Sequence, residues 1–147
     1  MNSDDFFKKV DENSSKDNAE SAKADEERRN RKKFLQEVIL NLKPIAENYA
    51  EELVRRGVSV DVSFSAYGII FSMKKKGTNY DHTLIMGEDK AFNGYITFEC
   101  NSTNDDGRRY TSTNGVTYSQ KNWSEDVFTT ILQKEIEHYL YYSKRHV

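Results

Sequence analysis

The chain has 147 residues, 31% charged and 36% hydrophobic, with a formal net charge of −2 at pH 7. That length suits one domain with its own core plus a tail, and the near-zero charge gives no global pull toward nucleic acid or an anionic membrane. One cysteine excludes an internal disulfide, and neither a signal peptide nor an apolar run of about 20 residues is present, so a soluble, cytoplasmic chain is expected.

Residues 1–24 are Asp, Asn, Ser, Lys and Glu, with almost no apolar content besides Phe6, Phe7 and Val10. Such a segment buries too little surface to offset the entropy of ordering, so it reads as a mobile polar leader ahead of a single α+β domain over 25–147. Phe6-Phe7 is a docking-motif candidate, although two stray aromatics in a leader is the simpler account.

From Asp25 the pattern turns helical. Asp25 with Arg29 and Glu27 with Arg31 make favourable four-residue pairs. Five bases between Arg28 and Lys33 raise a nucleic-acid contact. Nine acids balance the nine bases of the first 33 residues, however, and a solvated helix face explains the cluster more simply. Leu35, Val38, Ile39, Leu42, Ala46, Tyr49 and Leu53 then recur at spacings of three and four, one apolar helix face. Pro44 removes a backbone donor inside this run and predicts a kink or short break near Asn41–Lys43. Arg55-Arg56-Gly57-Val58 supplies bases, a left-handed glycine and a hydrophobic contact to end the helix.

The next stretch alternates. Val58, Val60, Val62 and Phe64 form one set; Ile69, Phe71 and Met73 a second; Tyr80, His82, Leu84 and Met86 a third; Ile96, Phe98 and Cys100 a fourth. Period-2 alternation between polar residues predicts antiparallel strands with one buried face. Loops at Lys74–Asn79 and Gly87–Tyr95 pair Phe71 with His82, Leu84 with Phe98 and His82 with Cys100, which keeps apolar residues on one side. Asn114-Gly115, between Tyr110–Thr113 and Val116–Ser119, signals a type I′ hairpin and hence a sixth strand. Ser124 as N-cap opens a last helix with the stripe Val127, Phe128, Ile131, Leu132, Ile136, Tyr139 and Leu140. Lys144, Arg145 and His146 complement its C-terminus, and Trp123 is placed to staple its start. The expected fold is a long N-terminal helix, a five- to six-stranded antiparallel meander and a C-terminal helix, with the helices packed mainly on one sheet face.

Candidates for chemistry are few. The register places His82 beside Cys100, a pairing in which an imidazole can withdraw a thiol proton. Both lie on the core face, where a buried histidine beside a small apolar cysteine is the plainer reading. His82, His138, His146 and Cys100 show no paired metal-ligand spacing, so no metal or cofactor is expected. The acids of Asp105-Asp106-Gly107-Arg108-Arg109 lack calcium-loop spacing and read as a polar turn. The order helix, strands, helix is shared with double-stranded-RNA-binding domains. The last helix here opens Ser124-Glu125-Asp126, the wrong sign for phosphate.

The remaining feature is the opposite sheet face, where Ile70, Ile85, Tyr95 and Tyr110 fall between polar residues. Apolar and tyrosine side chains in a polar surround are what protein-binding surfaces present. The expected function is a small non-enzymatic interaction domain, of the inhibitor, immunity or adaptor type, binding another protein through this face. The alternative is nucleic-acid binding through Arg28–Lys33 and Lys74–Lys76. A third reading is a small-molecule pocket between sheet and helices that uses Tyr80 and His82.

Overall fold

In the computed structural model, which describes residues 2–104 and 106–145, the apolar stripe from Leu35 lies on one 53-residue helix, α1 (Ser3–Arg55). Leu35, Val38, Ile39, Leu42, Ala46 and Leu53 are its buried positions. The helix begins where the Asn2 side chain accepts from the Asp5 amide at 2.8 Å. It ends by the expected motif, with Gly57 at φ 85 and the Val58 amide reaching back to the Leu53 carbonyl at 3.0 Å.

Two features of α1 depart from the sequence reading. No break occurs at Asn41–Lys43, and the helix runs through Pro44. The carbonyl that Pro44 leaves without an intrahelical donor belongs to Leu40, which is 70% exposed, so the missing bond falls on the solvent side of the helix. Residues 3–24 form roughly the first six turns of the same helix. Every described side chain from Asn2 to Asn30 is exposed, so the leader adds length to α1 but nothing to the core.

The strands are β1 (Ser59–Ser65), β2 (Gly68–Lys74), β3 (Asp81–Glu88), β4 (Ile96–Thr103) and β5 (Arg109–Thr113), joined antiparallel in chain order as one open sheet. α2 (Glu125–Ser143) follows. The sheet is the predicted meander and the molecule is α+β. The buried face carries the predicted residues, but both inner registers sit two residues from those expected. Phe71 pairs with Leu84 and Met73 with His82; Leu84 pairs with Cys100 and Met86 with Phe98. A shift of two preserves which face each side chain takes, so hydrophobic pattern cannot detect it. Turn closure decides it: the Lys75 amide bonds the Tyr80 carbonyl at 3.1 Å, and the Asp89 amide bonds the Tyr95 carbonyl at 2.9 Å.

The sixth strand is not formed. Beyond Thr113, the partner of Glu99, the chain continues in the same direction until Tyr118 bridges Ile96. Asn114-Gly115 is thus a bulge and not a reversal. Gly115 takes φ 69, and the Asn114 side chain accepts from the Val116 amide at 3.1 Å and donates to the Tyr118 hydroxyl at 2.9 Å.

Both helices cover the face that carries Phe71, Leu84 and Phe98, and their stripes merge there into one core cluster. The Tyr49 hydroxyl accepts from Gln133 Nε2 at 2.7 Å, linking α1 to α2. Ser124 has the extended backbone of an N-cap, though its side chain makes no capping bond. Trp123 stacks on the Phe98 ring and meets Tyr118 edge-on. His146 lies outside the described residues. Among the described residues no helix is long and apolar enough to cross a membrane.

Candidate functional site

The helices leave the second sheet face open. At its centre Ile70 and Ile85 are cross-strand partners, Ile70 43% exposed and Ile85 half-buried. Beside them the Ser72 and Thr83 hydroxyls share a hydrogen bond of 2.9 Å. A groove of about 500 Å³ adjoins Ile85, floored by Gly87, Thr97 and Glu99 and walled by the bulge from Asn114 to Thr117.

The two tyrosines do not join this pair. Tyr110 is the partner of Ser102, itself the partner of His82, so it points to the helix side at the sheet edge, 52% exposed. Tyr95 is half-buried under α1, with the Arg31 guanidinium 4.4 Å from its ring centroid. Arg31 also donates from Nε to the Asn93 carbonyl at 2.7 Å.

The basic clusters stand apart. Arg28–Lys33 lies beside the loop that follows β3, where Lys32 sits 3.6 Å from Glu88 and Arg28 pairs with Asp25. Lys74–Lys76 lies at the turn that precedes β3, where Lys75 Nζ donates to the Ser143 carbonyl. The eight residues of β3 separate the two groups by roughly 25 Å. Asp105 of the acidic turn lies outside the described residues, and Asp106 bonds the Arg108 amide and side chain.

A polar cluster sits inside the otherwise apolar layer between the sheet and α2. His82 (β3) and Cys100 (β4) are diagonal neighbours on the buried face, and His82 Nε2 lies 3.1 Å from Cys100 Sγ. Glu135 and His138, three residues apart on α2, bring a carboxylate and an imidazole to the same place. Glu135 Oε2 accepts from Cys100 Sγ at 3.0 Å and from His82 Nε2. The His138 ring meets that of His82 edge-on, centroids 5.0 Å apart. One ligand atom from each of His82, Glu135 and His138 falls within 4.8 Å of the others. His82 Nδ1 is buried without a hydrogen-bond partner among the described residues.

Burial, and then the Glu135 carboxylate that accepts its proton, push the Cys100 thiol far up. A thiol so held is a hydrogen-bond donor and not a nucleophile at neutral pH. Burial acts to raise the Glu135 carboxyl, but the hydrogen bonds from His82 and Cys100 outweigh it, and the group sits below its ordinary value. Burial, then the neighbouring His82, lowers His138. Close by, Tyr80 stacks on Tyr139 at 5.7 Å, and burial pushes its phenol up to about 12.

The cavity next to this cluster measures about 110 Å³ and is lined by Leu84, Phe98, Cys100, Ile131, Lys134 and Glu135, among others. That is well below the roughly 300 Å³ at which sites for small organic ligands begin, so it does not favour the small-molecule reading. His82 with Cys100 was legible in the sequence. His138 enters the sequence reading only as a histidine without paired ligand spacing, and Glu135 does not enter it, although both flank Leu132, Ile136 and Tyr139 at helical spacing. No family model, no curated protein and no solved structure matches the chain.

Proposed function

We propose that the chain is a non-enzymatic interaction domain that binds another protein through its open sheet face. The observation that carries this reading is the Ile70–Ile85 pair beside the groove walled by Asn114–Thr117. It offers an apolar centre with a polar surround and a recess into which a partner side chain can insert. The nucleic-acid alternative needs one continuous basic footprint, and about 25 Å of sheet between two clusters that are partly engaged with protein groups weighs against it.

The test is affinity capture from cells of the protein's own source, comparing the native chain with an Ile70→Ser, Ile85→Ser double variant. Loss of one specific partner at an unchanged melting temperature is expected, since binding energy concentrates in few residues. Replacing Lys74, Lys75 and Lys76 with Ser should alter mainly the association rate and its salt dependence. If the lysine variant loses a nucleic-acid target while the double variant keeps it, the interface reading is refuted.

A further inference from the structure

We propose that His82, Cys100, Glu135 and His138 bind one divalent transition-metal ion, zinc by preference, which ties α2 to the sheet. His82 Nε2, Cys100 Sγ and Glu135 Oε2 form a close triangle. Two of its contacts measure 3.1 Å and 3.0 Å, and the third is closer still. Only two hydrogens serve it, one on nitrogen and one on sulfur, and both point at the carboxylate oxygen. The nitrogen–sulfur approach is then left without a hydrogen between the two atoms. A cation among the three satisfies every contact at once.

The donor set suits the ion. Two imidazoles, a thiolate and a carboxylate make the mixed nitrogen, sulfur and oxygen tetrahedron that zinc accepts. Tetrahedral zinc ligands lie about 3.3–3.7 Å apart, so the triangle has to open slightly, and His138, an exposed side chain with a ring nitrogen within 4.8 Å of the His82 and Glu135 ligand atoms, has to swing toward Cys100 to become the fourth. The elements are placed for it as well. Two adjacent strands supply His82 and Cys100, and two residues on one side of a single helix supply the rest.

Charge closes the case. Binding displaces the proton from Cys100 to solvent and requires His82 to carry its hydrogen on Nδ1 in place of Nε2. Neither change alters an oxidation state, and a thiolate plus a carboxylate then neutralise the doubly charged ion in a low-dielectric layer. His82 is the one buried polar or charged residue in the core among the described residues, an expense that a bare hydrogen bond to Glu135 repays poorly. The small cavity beside Cys100 and Glu135 is large enough for an ion and its departing water.

The test uses the full chain, stripped with a chelator and titrated with zinc chloride and, separately, cobalt chloride. One equivalent of cobalt should give tetrahedral visible bands and a near-ultraviolet thiolate charge-transfer band. One equivalent of zinc should raise the melting temperature. His138→Ala, an exposed change that spares the core, should weaken zinc by at least about 100-fold, beyond the 10–100-fold typical of outer partners. The proposal is overturned by a cobalt spectrum without the thiolate band, by no binding at millimolar metal, or by zinc affinity that persists in His138→Ala.

Discussion

Phe71 shows how a single side chain is placed by the whole sheet. It stands on the helix-covered face opposite Leu84 and has no exposed surface. Phe71→Ala removes a ring that the surrounding core cannot collapse to replace, at a cost of about 3–5 kcal/mol, enough to unfold most small domains. A chemical denaturation curve measures it, and an unchanged midpoint would mean the face is inverted. The Glu135–His138 pair gives a prediction in pH. Both groups have folded values below their unfolded ones, so the unfolded chain takes up protons first as pH falls. Their stabilisation is complete above the ordinary histidine range. It is lost first as pH drops through about 6.5 toward the folded value of His138, and further as pH falls through the carboxylate range. The melting temperature of chelator-treated protein should decline on acidification in these two stages, and His138→Ala should remove the first.

At the scale of elements, Gly94 fixes how α1 sits on the sheet. It adopts φ 83 in the loop after β3, and a Cβ there would come within 2.7 Å of the Lys32 amide nitrogen and 2.9 Å of Arg31 Cβ. The strain and the backbone collision act together. Gly94→Ala should therefore destabilise by about 1–3 kcal/mol or more, read from the shift in thermal midpoint. This junction takes up Tyr95 and, from the Arg28–Lys33 cluster, Arg31 and Lys32, and no local pattern announces it, since Arg31 and Asn93 lie more than 60 residues apart in the chain. The elements themselves were legible because each obeys its own period: α1 and α2 through spacings of three and four, the strands through alternation. Register and the sixth strand were not. A two-residue slip conserves the face, and Asn114-Gly115 serves a bulge as readily as a reversal. Half of the polar cluster was visible for the same reason. Strand alternation put His82 and Cys100 on one face, whereas Glu135 and His138 reach them only once α2 has docked.

For the molecule as a whole, the division of labour is between a core that both helices share and an arm that packs on nothing. Residues 3–24 are rich in Ser, Asn and Asp, weak helix formers, and no buried stripe supports them. Deleting residues 1–20 should leave the melting temperature nearly unchanged. A drop of many degrees would place Phe6 and Phe7 against the domain. The same arm governs how the molecule moves through solution. Fifty-three residues of helix extend about 80 Å, while the remainder of the chain fills a body about 35 Å across. Small-angle scattering should then give a pair-distance distribution with a long shoulder reaching about 80 Å, and removal of residues 1–20 should shorten it by about 30 Å. Rotational drag follows the longest axis, so a body carrying this rod reorients more slowly about its transverse axes than its mass implies, and its tumbling is anisotropic.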